Sequence, residues 1–154
     1  MGKKVFASIT AIFTVFFSLG NVFSQFCTDP GSIRRIRNTS IGNHEYVVID
    51  VFTPPNPNYS VSTVSPPFIE DPSGNPVNIN GSKFKKIRFE GVVWTCQIRE
   101  EFTLPRTAIK DIENISQFEG IVEIVVGYRN ASRYRSTYYY DVGSIRKVVM
   151  KFRK

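Results

Sequence analysis

The run Phe118-Glu-Gly-Ile-Val-Glu-Ile-Val-Val-Gly-Tyr128 decides the fold class, together with Ile145-Arg-Lys-Val-Val-Met-Lys-Phe152 near the chain end. Both runs are β-branched or aromatic, shorter than a dozen residues, and bounded by Gly, Asn or Asp. That combination favours strands over helices. Between them lies Tyr134-Arg-Ser-Thr-Tyr-Tyr-Tyr140. Three neighbouring strands of this kind bury one face against a second sheet and show water a row of tyrosines and arginines. On a regular strand Tyr134, Ser136, Tyr138 and Tyr140 share one face, while Arg135, Thr137 and Tyr139 share the other.

Working outward, His44-Glu-Tyr-Val-Val-Ile-Asp-Val-Phe52 is nearly continuous in apolar character, as expected of a strand inside a packed layer. Ser32 to Arg37 reads as a short first strand with arginines on its wet side, and Asn38-Thr-Ser-Ile-Gly-Asn43 as a turn. Seven of the nine prolines fall between Pro54 and Pro76, which excludes a long central strand or a helix there. Inside that region Tyr59 to Val64 alternates as a short edge strand, Asp71 to Pro76 is a loop, and Val77 to Gly81 is a brief pairing segment. Lys83-Phe-Lys-Lys-Ile-Arg-Phe-Glu90 alternates with a slip at Lys85-Lys86, which predicts a bulge or lysines guarding an edge. Val92 to Ile98 continues in β style. Arg106 to Ile115 is the one segment tolerant of helix, since Ile109, Ile112 and Ile115 recur at three-residue spacing; a single turn or a strand serves equally. The sum is an all-β chain: a small β-sandwich or flattened barrel of about seven to nine short strands, with at most one short helical turn.

The first residues have a different character. Lys3 and Lys4 form a positive n-region, Val5 to Phe23 is apolar, and Val22-Phe-Ser24 offers small or β-branched residues where a signal peptidase inspects the chain. Residues 1–24 are therefore expected to be a signal peptide cleaved after Ser24, with 25–32 a tail and 33–154 the folded domain. A retained membrane anchor is the alternative, because the apolar run is about long enough to span a bilayer. Removing 24 of 154 residues leaves 130, and losing Lys3 and Lys4 takes the formal charge from +7 to +5. A basic exported chain suits anionic surroundings such as envelope polymers, lipid headgroups or acidic partners, and nucleic acid is not expected.

Cys27 and Cys96 are the only cysteines. In an oxidising compartment one disulfide between them would close a loop of about 70 residues, on the order of 4 kcal/mol in the chain-entropy model. Lipidation of Cys27 is the other use, although Ser24-Gln-Phe26 lacks the small residue wanted just before a lipidated cysteine.

Catalytic signatures are missing. His44 is the only histidine, no nucleophile-elbow motif accompanies it, and its reading is structural or turn-capping. One His and two distant Cys lack zinc-site spacing, so no metal or cofactor is expected. Glu100, Glu101, Asp111, Glu113, Glu119 and Glu123 are the acids available for glycosidase chemistry. Glu100 and Glu101 are adjacent on a strand and point apart, and the group reads as solvated-face residues. The candidate ligand-binding residues are Arg129, Arg133, Tyr134, Arg135, Tyr138, Tyr139 and Tyr140. Aromatic rings lie against sugar faces, and guanidinium forks grip carboxylates or phosphates. The competing reading makes one tyrosine set core and the other ordinary cross-strand pairs. Trp94 reads as core.

In this layout the chain resembles the AMIN-like domains of exported bacterial envelope proteins. The resemblance is carried by Ile33-Arg-Arg-Ile36, His44-x-Tyr46-Val-Val-Ile-Asp-Val-Phe52, Pro57-Asn-Tyr59-x-Val61 and Pro72-Ser-Gly-Asn-Pro-Val77-x-Ile79-x-Gly81. Phe118-Glu-Gly120 with Gly127, and Arg146-Lys-Val-Val149, complete it. Met150 stands where the usual close has an acid, and Cys96 and Tyr138-Tyr-Tyr140 lie outside the pattern. The resemblance implies a non-enzymatic β-sandwich outside the cytoplasm that binds or localises to cell-wall polymer, peptidoglycan first. An envelope protein is the alternative partner, and a membrane is one only if the signal segment stays.

Overall fold

The computed structural model describes residues 30–52, 58–92 and 99–154, with Arg99 known by its backbone. The expected signal peptide with its cleavage point, the Cys27–Cys96 pairing and Trp94 lie outside the described residues.

Tight turns set the frame. β1 (Ile33–Ile41) and β2 (His44–Phe52) form a hairpin, as do β8 (Ile109–Phe118) with β9 (Ile121–Tyr128) and β10 (Arg133–Val142) with β11 (Ile145–Arg153). Each has a two-residue loop. At Glu119-Gly120 both loop residues have positive φ, +50° and +76°, the backbone twist that lets two right-twisted strands meet without splaying. The remaining strands are β3 (Asn58–Val64), β4 (Phe68–Ile69), β5 (Pro76–Val77), β6 (Lys83–Glu90) and β7 (Arg99–Glu101). No helix occurs among the described residues.

The strands form a five-stranded sheet ordered β10-β11-β2-β1-β7 and a four-stranded sheet ordered β3-β6-β9-β8, with β4-β5 as a small ribbon. Among the described strands β1 and β7 pair in parallel, and an isolated parallel bridge joins Asp71 to Ser116. The all-β sandwich follows from one apolar face of each sheet. Val47, Ile49 and Val51 of β2 and Val148, Met150 and Phe152 of β11 meet Ile87, Phe89, Val122, Ile124 and Val126 from the other sheet. A second cluster of Phe68, Phe84, Ile115 and Val125 packs with the ribbon on the other side of the four-stranded sheet. That explains why β9 reads as continuously apolar: Val125 is buried on one face while Val122, Ile124 and Val126 are buried on the other.

Several local expectations change. β6 carries no bulge and is not an edge, because it pairs without interruption to β3 and to β9. The slip at Lys85-Lys86 instead marks burial on two sides, with Phe84 in the second cluster and Ile87 and Phe89 in the main core. Residues 106–115 contain no helical turn. Bulges between Ile109 and Asp111 and between Asn114 and Ser116 reset the side-chain alternation of β8. The first keeps Ile109 and Ile112 in the main core, and the second sends Ile115 to the other face. The turn expected over Asn38–Asn43 contracts to Gly42-Asn43, because β1 continues to Ile41. Asn38 is buried and bonds Thr103 twice, donating to its carbonyl at 3.2 Å and accepting its N–H at 3.0 Å. The short edge strand expected at Tyr59–Val64 is present as β3.

Candidate functional site: the outer face of the five-stranded sheet

Antiparallel register stacks side chains into rows across this face. One row runs Tyr140–Lys147–Asp50–Arg35, and the next Tyr138–Val149–Val48–Arg37. A third runs Ser136–Lys151–Tyr46–Thr39, and the last Arg133–Arg153–His44–Ile41. Val48 and Val149 are buried although they point away from the core, so the longer neighbours cover them. Tyr138 and Tyr140 are 43% and 46% exposed.

The electrostatics centre on Asp50, which is 2% exposed. Arg35 donates to its Oδ2 from Nε at 3.1 Å and from Nη2 at 2.8 Å, and Lys147 donates to Oδ1 at 3.1 Å. Arg37 Nη2 stands 3.7 Å from Oδ1, and Glu101 Oε2 lies 3.7 Å from Arg35 Nη1. Among the described side chains, Asp50 and Glu101 therefore share this face with a larger set of cations: Arg35, Arg37, Arg133, Lys147, Lys151 and Arg153. The cations disfavour the charged form of His44. Partial burial, then Lys151, Arg135, Arg153 and Lys154, lower the pKa of His44 from 6.5. Burial, then the nearby phenols of Tyr46 and Tyr140, raise that of Tyr138.

Of the residues expected to bind, Arg133, Tyr138 and Tyr140 occupy this face, and the exposed Arg135 adjoins it near His44. Tyr134 does not share their face. A bulge at Arg135 pairs Tyr134 with Phe152 and Ser136 with Lys151, which flips the parity between them. Tyr134 packs against the Phe152 ring at 5.7 Å, and its hydroxyl meets Thr137 Oγ1 at 2.8 Å. Tyr139 turns the same way, edge-on to Tyr59 at 6.5 Å and 4.4 Å beneath the Arg146 guanidinium. Arg129 opens the β9–β10 connection, with its N–H on the Ala108 carbonyl at 2.9 Å. Sequence reasoning missed Tyr46, Arg37, Asp50, Lys147 and Lys151. The period-two pattern His44, Tyr46, Val48, Asp50 inside the apolar run was the available signal.

The acids do not converge on this face. Glu123 accepts from Lys86 at 2.8 Å and Arg88 at 3.0 Å on the outer side of the four-stranded sheet. Burial raises its pKa, but those two hydrogen bonds and the charges of Lys86 and Arg88 together leave it lowered. Burial, then Asp111 and Glu100, raise that of Glu113. Among the described residues no group of three or more His, Cys, Asp or Glu could hold a metal ion. A cleft of about 900 Å³ opens elsewhere, between Thr63–Phe68 and Pro76–Phe84; Lys83 is its one cation, and no acid lines it.

Comparison with curated proteins gives no match. A family model for the AMIN-like domain matches residues 31–152, from just before β1 to the penultimate residue of β11. The chain belongs to the AMIN-like domain family, modules associated with the cell envelope.

Proposed function

We propose that this chain is a non-enzymatic, exported envelope module that binds cell-wall polymer, peptidoglycan first, through the outer face of its five-stranded sheet. The observation that carries the reading is the register itself. It interleaves Tyr46, Tyr138 and Tyr140 with Lys147, Lys151, Arg37 and Arg153 on one rigid surface. Tyrosines offer flat apolar rings to sugars, and the cations offer charge-assisted hydrogen bonds to acidic groups. Sites built on strands hold such groups in fixed spacing, so little ordering is needed on binding. In this reading Arg133, Arg135, Tyr138 and Tyr140 contact ligand. Tyr134, Tyr139 and Arg129 support the sheet and its loops. Export with cleavage after Ser24 is part of the same proposal.

Co-sedimentation of the mature chain with purified insoluble peptidoglycan tests it. Binding at low salt that falls as salt rises is expected, because exposed charges are screened over about 10 Å at 0.1 M ionic strength. No co-sedimentation at low salt overturns the proposal.

One observation favours a second reading, a protein–protein module of an envelope assembly. β10 is an edge of its sheet, so a whole side of the tyrosine strand has backbone groups free of a neighbouring strand among the described residues. That reading expects a saturable protein partner from envelope extract and no pelleting with bare polymer.

A further inference from the structure

The cations around Asp50 are not equally satisfied. Arg35 spends two donors on Oδ2 and Lys147 spends one on Oδ1, all within hydrogen-bond distance. Arg37 reaches no closer than 3.7 Å, and its Nε is buried without any acceptor. Buried donors are almost always paired, so Arg37 is the one cation around Asp50 left without a close acceptor among the described residues. Nε itself is closed to an incoming group, but the side chain exposes 30% of its surface and offers its Nη end. Among the described side chains three cations, Arg35, Arg37 and Lys147, meet two carboxylates, Asp50 and Glu101, here.

We infer that Arg37 anchors an anion subsite that takes a carboxylate or phosphate group of the ligand. The inference rests on the reading of this face as polymer-binding and names the chemical group it grips. The two terminal Nη–H groups of a guanidinium project in one plane and match two oxygens of a carboxylate or phosphate; a spherical halide meets them from a single centre and fits less well. Asp50 is a positioning residue. By holding Arg35 and Lys147 it leaves Arg37 as the fork still open to the ligand. Val48 lies beside Arg37 and Val149 beside Tyr138 in the same row, so the valine pair fixes the fork and the ring in one frame.

The test uses the isotope-labelled mature chain and follows the arginine Nε–H resonance that disappears in Arg37→Gln. Inorganic phosphate, acetate and chloride are titrated at constant ionic strength. A saturable shift with phosphate or acetate and a markedly weaker one with chloride is expected; equal responses to all three overturn the subsite. In pelleting assays Arg37→Gln and Arg37→Lys should each weaken binding on the order of tenfold, since a lysine keeps the charge but not the fork. Arg88→Gln, which removes the same charge from the outer side of the other sheet, should not. Amide spectra like those of the unaltered chain show that the variants are folded. If the unaltered chain pellets and Arg37→Gln pellets equally well, the subsite fails and the polymer reading stands. If the unaltered chain does not pellet, the polymer reading fails, and the anion titration alone decides the subsite. Peptidoglycan stripped of phosphate-bearing glycopolymer separates the two sources. Arg37-dependent pelleting kept after stripping assigns a carboxylate, and its loss assigns a phosphate.

Discussion

Glu45 and Ile109, 64 positions apart, are joined across the sandwich: Glu45 Oε2 accepts the Ile109 N–H at 2.8 Å and the Ala108 N–H at 2.9 Å. Glu45 is 1% exposed, and it stands on β2 of one sheet while Ile109 opens β8 of the other. One carboxylate thus satisfies two backbone donors where β8 begins. Glu45→Ala leaves both buried and unpaired, and should cost about 2–5 kcal/mol in denaturant unfolding. Glu45→Gln keeps an acceptor oxygen and should cost less. A loss below about 1 kcal/mol for the alanine variant would mean the bracket contributes little.

At Gly127 the fold needs the absence of a side chain. A Cβ there would lie 2.0 Å from the Asn80 carbonyl oxygen. The Asn80 backbone N–H and amide are themselves held by Asp111 Oδ2 at 2.8 and 3.1 Å. Gly127→Ala should therefore push the Asn78–Ser82 segment off β9 and destabilise by about 1–3 kcal/mol, the usual range for overpacking. Loss of the Asn80 amide's protection from hydrogen exchange checks the location of the damage.

Much of the scaffold was legible because burial leaves a pattern. β2, β9 and β11 read as strands from their apolar runs, and the prolines confined the irregular middle. What was not legible lies in two physical causes. Bulges reset parity without any residue-type signal, which hid the strand character of β8 and put Tyr134 on the wrong face. The Asp50 cluster joins Asp50 to Lys147, 97 residues away. Only strand order brings them together, and nothing local in either segment encodes it.

His44 gives a pH prediction with a definite sign. Partial burial and the cations Lys151, Arg135, Arg153 and Lys154 hold its folded pKa below 6.5, so the folded chain disfavours the imidazolium. The unfolded chain binds that proton more readily. The His44 contribution to stability is therefore full above the unfolded value and is lost as pH falls from there through the lower folded value. A histidine titration by NMR should show a midpoint below 6.5. An anionic polymer on the same face should move that midpoint up, and by linkage should bind more tightly as pH drops. A midpoint unmoved by saturating polymer would place the ligand elsewhere.

Glu113 titrates in the other direction. Burial and the negative Asp111 and Glu100 raise its pKa, so its ionised form opposes folding. The penalty is present above the folded pKa and disappears as pH falls below the unfolded one. Glu113→Gln should raise the unfolding midpoint at neutral pH, with the gain shrinking on acidification. A gain independent of pH would assign the effect to packing instead.

The bulge at Arg135 yields the sharpest separation of support from recognition, since it sets Tyr134 and Tyr138 on opposite faces of one strand. Tyr134 packs on Phe152, bonds Thr137 and lies 4.8 Å beneath Lys85 Nζ. Its ring is half-buried, so Tyr134→Ala should destabilise by about 2–3 kcal/mol, below the range for a fully buried aromatic. Below the unfolding transition, polymer binding by that variant should persist. Tyr138 stands exposed in the row that ends at Arg37, and Tyr138→Ala should change stability by no more than about 0.5 kcal/mol. Polymer binding should instead weaken several-fold, and further with Tyr140→Ala added. Had β10 kept regular alternation, Tyr134 and Tyr138 would behave alike in both assays. Equal loss of binding from the two single variants, at unchanged stability, would therefore refute both the face assignment and the site built on it.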